Sequence, residues 1–170
     1  DIIYIFLNHK ILIVDSNTKS ILKSYEYTVV GRPIACKGQI FFNIDDTIHT
    51  LTENHEIVSV LTVKTLQESK INVSRKIMKP SLFCWNDKLY NLYGLSSENI
   101  LIEIDVKQQK SRRLILPTPL KKQRIIHIKS VENKQWIATN VGVFICSLQD
   151  NKLLIEETLL DNEFVTKTLI

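Results

Sequence analysis

The chain has 170 residues, of which 44% are hydrophobic and 24% charged, and its net charge is +4. That composition excludes a disordered chain, which lacks the apolar surface needed to fold, and the length suits one domain better than two. No apolar run reaches the roughly 20 residues of a membrane helix, so no membrane contact is expected. The opening DIIYIFLNHK lacks the basic start and small-residue cleavage site of a signal peptide, which leaves the compartment open.

From the N-terminus onward the chain is a succession of short runs rich in Ile, Val, Leu and aromatics, separated by polar turns. Residues 1–27 hold the aromatic run around Tyr4, a second run ending at Asp15, the turn DSNTK and then SILKSYEY. Residues 33–63 begin with PIACK, continue through Phe41 and close with TENHE and EIVSVLTV. Residues 81–116 run from SLFCWN to SRRLILP with the turn DVKQQK, and residues 125–160 run from IIHIKS to KLLIEETLL with the turn SLQDNK. Runs of this length and composition read as strands. The Asp, Asn, Ser and Thr between them close turns through side-chain hydrogen bonds.

The four units share a register. Tyr4, Ile11 and Asp15 are spaced by seven and four residues, as are Phe41, Ile48 and Thr52, and Trp136, Val143 and Ser147. In the remaining unit, Tyr90, Leu101 and Asp105, the first step stretches to eleven around YGLSSEN. The aromatic anchors lie 37, 49 and 46 residues apart, which is blade length for a β-propeller. The fold expected is therefore all-β: a propeller of about four blade-like, four-stranded antiparallel repeats, each burying its faces on its neighbours. The anchors, Trp136 included, are expected to pack between blades, and Gly142 to serve the bend after Trp136. Pro33, Pro80, Pro117 and Pro119 are expected in connections before first strands, where no ladder N–H is lost. The polar TLQESKINVSRKI is the best helical candidate. Cys36, Cys84 and Cys146 lie in apolar runs without a C-x-x-C pair and are expected to be buried structural thiols, at least one of them unpaired.

QWIATNVGVFICSLQDNKL resembles the two-component regulator propeller repeat, with its Trp-Ile-Gly-Thr start, Gly-rich turn, apolar strand and polar hairpin. Ala138 stands where that repeat has Gly. LLDNEFVTKTLI is similar to the link and first strand of the next blade in that family. The resemblance implies the periplasmic or extracytoplasmic sensor region of a hybrid two-component histidine kinase, binding a glycan-derived ligand. It favours a segment of a larger, seven-bladed propeller. In the other reading, residues 164–170 close a four-bladed ring. Neighbouring blades or a second protomer are then the expected protein partners.

The connections 28–33, 62–80 and 117–124 carry nine cations against the single carboxylate Glu68, a local charge of +8; the chain is +4, so the remainder carries −4. In a propeller these connections share a face with the loops joining second to third strands. Arg32, Arg75, Lys76, Lys121, Lys122 and Arg124 are the candidate anion-binding residues, and Trp85 and Tyr93 the candidate stacking aromatics. The field favours an acidic oligosaccharide. Nucleic acid is not expected as a partner, since the pI of about 8.9 is mild and no recognition helix or RNA-binding motif occurs. Asp45, Asp46 and His49 read as turn chemistry. No nucleophile, metal or cofactor motif appears, so a non-enzymatic domain without a cofactor is expected. A protein-binding scaffold is the alternative function.

Overall fold

The computed structural model describes residues 1–45, 47–62, 78–94 and 98–159. The first sheet comprises β1 (Ile2–Phe6), β2 (Ile11–Asp15) and β3 (Ile21–Tyr25); the second, β4 (Val29–Cys36), β5 (Gln39–Ile44), β6 (Thr47–Leu51) and β7 (Ile57–Thr62). The third holds β8 (Met78–Trp85), β9 (Lys88–Gly94), β10 (Asn99–Asp105) and β11 (Lys110–Leu114). After the short helix α1 (Thr118–Lys122), the fourth holds β12 (Ile125–Val131), β13 (Lys134–Thr139), β14 (Val143–Gln149) and β15 (Lys152–Leu159). Every sheet is an antiparallel meander in chain order, and the sheets pack face to face as propeller blades do.

Turn chemistry sets the registers. Cys36 pairs with Gln39 across Lys37 and Gly38, at φ +50° and +73°. Trp85 pairs with Lys88 across Asn86 and Asp87, at φ +46° and +58°. Two consecutive left-handed residues make the tight hairpin whose twist matches that of the strands. Asp45, at φ +50°, enters the turn before β6, as Asp does in turns; Asp46 lies outside the described residues.

Alternation along β1, β5, β9 and β13 places the aromatic anchor toward the following sheet. Tyr4 packs on the cluster of Phe42, Ile44 and Leu51 in sheet two. Phe41, 2% exposed, packs with Leu82, Leu89 and Tyr93 of sheet three. Tyr90, 1% exposed, joins Ile137, Phe144 and Cys146 of sheet four. Trp136 alternates with Ile137, which faces sheet three, so its indole points to the side on which no described sheet packs. It is only half-buried, and the expectation of a core Trp there is corrected to that extent.

Two further expectations change. Pro33 and Pro80 lie inside β4 and β8, where the ladder shifts register between Val30 and Ile34 and between Met78 and Ser81. A bulge leaves the missing N–H without a ladder partner to lose. Pro117 and Pro119 do precede a first strand, but there they start α1. Cys36 and Cys84 form a disulfide across the seam between sheets two and three, with Cα atoms 5.4 Å apart, and only Cys146 is a free thiol. The helical candidate at 65–77 and the strand at 164–170 lie outside the described residues.

Candidate functional site

The basic loop face is built around α1. Pro117 and Pro119 preset the first turn, and the N–H of Lys121 donates to the Pro117 carbonyl at 3.1 Å. Leu120 is fully buried beside Leu114 and Leu116, which pins one side of the helix in the seam between sheets three and four. Asn99, at the start of β10, donates through Nδ2 to the carbonyls of Leu120 (2.6 Å) and Gln123 (2.7 Å). It satisfies acceptors that a helix end leaves without intrahelical partners.

The neighbouring β13–β14 loop is fixed by Thr139. Its hydroxyl accepts from the N–H groups of Val141 and Gly142 at 3.2 Å and donates to the Gly142 carbonyl at 3.0 Å. Gly142 thus leaves the bend as expected, though the closure comes from the Thr hydroxyl rather than from a left-handed glycine. Asn140 then pairs with Arg124 both ways: the Arg124 N–H donates to its Oδ1 at 2.9 Å, and its own N–H to the Arg124 carbonyl at 3.1 Å. Lys121, Lys122 and Arg124 are therefore held on ordered backbone, Lys122 and Arg124 exposed and Lys121 half-buried.

The other sequence-derived candidates fall elsewhere. Arg32 is exposed in the bulge of β4, in sheet two, so sheet three stands between it and the Lys121 group. Arg75 and Lys76 lie outside the described residues. Trp85 is 3% exposed, and its Nε1–H donates to the Asn133 carbonyl at 3.2 Å. It stands at the end of β8 next to the Asn86–Asp87 hairpin, at the opposite end of the sheet from the long loop beside which it was expected. Tyr93 is also 3% exposed, its phenol oxygen accepting from Asn91 Nδ2 at 2.9 Å. Both rings are packing groups, so the stacking surface anticipated from them is corrected: neither offers a face to solvent.

Sequence reasoning also missed a carboxylate network on sheet three. Arg112 meets Glu103 through two parallel bonds, Nε to Oε1 and Nη2 to Oε2, each 3.0 Å. The Tyr90 hydroxyl donates to Oε2 at 3.1 Å and Lys88 lies 3.4 Å away. Burial pushes the Glu103 carboxyl up, but the bonds from Arg112 and Tyr90 and the charges of Arg112 and Lys88 outweigh it and hold the group below its ordinary range. The same burial, with the carboxylate alongside, pushes the Tyr90 phenol well up. The signal lay in the cross-strand positions: Glu103 is opposite both Tyr90 and Arg112.

The described side chains contain no cluster of three or more His, Cys, Asp or Glu able to hold a metal. Cys146 is fully buried, which pushes its thiol up to about 12 and removes the thiolate a nucleophile requires.

No known family profile matches the chain, and no curated protein sequence matches it. Solved structures do match in fold. The extracellular domain of a putative hybrid two-component system from B. thetaiotaomicron is similar over 97% of this chain and 23% of that one, at 14% identity and a TM-score of 0.66. The WD40 domain of SCAP from fission yeast is similar over 94% and 42%, at 13% identity and 0.55. A dihydro-heme d1 dehydrogenase, NirN, is similar over 92% and 34%, at 13% identity and 0.60. The chain spans less than half the length of each. Its fold is that of a β-propeller, an architecture that hosts receptors, scaffolds and enzymes alike.

Proposed function

We propose that the chain is a non-catalytic recognition segment of an extracytoplasmic sensor, of the kind found in hybrid two-component histidine kinases. Its ligand is an anionic glycan fragment held on the loop face that carries Lys121, Lys122 and Arg124. The observation that carries the reading is the Cys36–Cys84 disulfide, because structural disulfides persist in oxidising compartments and are rare in the cytosol. Similarity to an extracellular sensor domain over nearly the whole chain supports the same reading. With Trp85 and Tyr93 inside the core, ligand recognition rests on charge, which favours uronic or sulfated sugars over neutral ones. Binding acts by differential affinity for two arrangements of the sheets or of neighbouring protomers.

The test is thermal shift against neutral, uronic and sulfated oligosaccharides at low salt and at about 0.5 M salt, where the Debye length falls to several ångströms. Stabilisation by acidic sugars alone, lost in salt and in the triple variant K121E/K122E/R124E, is expected. A flat panel overturns the glycan reading. A protein-binding scaffold is the second reading, favoured by the apolar outer face of sheet one, where Ile3, Ile5 and Leu7 are 48%, 38% and 48% exposed. Exposed apolar surface of that kind marks protein interaction sites.

A further inference from the structure

Two side-chain amides are buried in the seam between sheets two and three. Asn43 on β5 shares a face with Phe41, two residues before it, and is opposite Ile48 of β6; Asn91 on β9 is opposite Ile102 of β10. Phe41, Ile48, Tyr93 and Ile102 belong to one buried cluster, so the two amides enter the same seam from opposite sheets. Asn43 is 3% exposed and Asn91 0%. Asn91 Nδ2 donates to the Tyr93 phenol oxygen at 2.9 Å, but Asn91 Oδ1 and Asn43 Nδ2 have no hydrogen-bond partner among the described residues. Turning the Asn91 amide over would give its oxygen to the Tyr93 hydroxyl and orphan its nitrogen instead, so one end of that amide needs a partner in either orientation. Buried polar groups in folded proteins are nearly always bonded to protein or to ordered water.

We propose that this position is a binding site for a single internal water, which bridges sheets two and three by accepting from Asn43 Nδ2 and donating to Asn91 Oδ1. The orphaned atoms are one donor and one acceptor. A cation would be repelled by the Asn43 N–H and an anion by the Asn91 oxygen, whereas water both accepts and donates; two polar partners are the fewest that hold an internal water. A direct bond between the amides is disfavoured by their stagger, since Asn43 lies two residues beyond the anchor Phe41 and Asn91 one residue beyond the anchor Tyr90. The bridge complements the disulfide. Cys36 and Cys84 tie the first strands at the end carrying the β4–β5 and β8–β9 hairpins, while Asn43, next to the last residue of β5, ties the second strands toward the other end. A buried polar link of this kind fixes the register of two apolar faces that could otherwise slide.

Magnetic resonance of the protein in water tests the site. The side-chain amide protons of Asn43 are expected to show a rotating-frame Overhauser cross-peak to water. That peak is expected to survive in Tyr93→Phe, which removes the nearby exchangeable phenol proton, and to vanish in Asn91→Leu. Oxygen-17 relaxation dispersion is expected to fall by about one long-lived water from the parent protein to N43L/N91L. Absence of the cross-peak in the parent protein, its loss in Tyr93→Phe, its persistence in Asn91→Leu, or equal dispersion in the parent and the double variant overturns the proposal. The first readout needs no substitution, so it decides the matter even if the leucine variants misfold.

Discussion

The seam between sheets two and three and the seam between sheets one and two use the same strand pattern but are held by different forces. The first is covalent and apolar: Cys36 is bonded to Cys84, and Phe41, Ile48, Leu82, Ile100 and Ile102 form one buried cluster. The second has a smaller core, around Ile11, Ile13 and Phe42, fastened at its rim by polar contacts. Tyr4 Oη lies 3.0 Å from His55 Nδ1, the Tyr25 hydroxyl donates to the His55 carbonyl at 2.8 Å, and Lys23 is paired with Glu56. The outer face of sheet one remains open to solvent at Ile3, Ile5 and Leu22. A propeller blade is stable to the extent that both its faces are covered, so the central seam is the rigid reference and sheet one the part that opens first.

The largest expected effect is on that central seam. Replacing Cys36 and Cys84 together by Ser releases a crosslink spanning 48 residues and should cost about 3 to 4 kcal/mol, read as a fall in melting temperature that a reductant reproduces in the parent protein. Next, Ile102→Ala, at 0% exposure, should cost about 2 to 5 kcal/mol by chemical denaturation. Ile5→Ala, at 38% exposure on sheet one, should cost less than about 1 kcal/mol. Equal losses at the two positions would erase the difference between the covered central seam and the open outer face of sheet one.

Glu103→Gln sharpens the comparison by testing a polar contact within the stable half, and should cost about 1 to 2 kcal/mol near neutral pH. The folded-state carboxyl lies below the ordinary glutamate value of 4.5, so its contribution is present above that value and fades as pH falls through the folded one. The variant should therefore lose less stability than the parent on acidification across that window. His49 adds to acid sensitivity at higher pH: burial lowers its proton affinity from the ordinary 6.5, so the unfolded chain takes up protons first and stability declines as pH drops below that value. The smallest effect is on Leu22→Ser, at 47% exposure, which should leave melting nearly unchanged and reduce any self-association seen by light scattering.

The architecture was legible because it rests on periodicity. The spacing of Tyr4, Phe41, Tyr90 and Trp136 sets which residues face the next sheet, and that repeat survives wide variation in the side chains themselves. Burial at strand ends was less legible, because Trp85 beside a hairpin reads alike whether it caps the core or meets solvent; the Asn133 carbonyl that receives its N–H belongs to the next sheet, 48 residues away. The disulfide left a trace: Cys36 lies five residues before Phe41 and Cys84 six before Tyr90, which places both at the same end of neighbouring first strands. Counting cysteines without aligning the units hid it. Helix α1 has five residues, too few for helical periodicity to register, so the basic loop was visible as charge while the scaffold that orders it, Asn99, Leu120 and Asn140, was not.

The most direct test is peptide mapping of the protein isolated from its own compartment under non-reducing conditions, with free thiols blocked before unfolding is complete. The account predicts a Cys36–Cys84 linked peptide and a single blocked thiol at Cys146. Recovery of all three cysteines as free thiols would contradict both the covalent seam and the oxidising location on which the proposed sensor role rests.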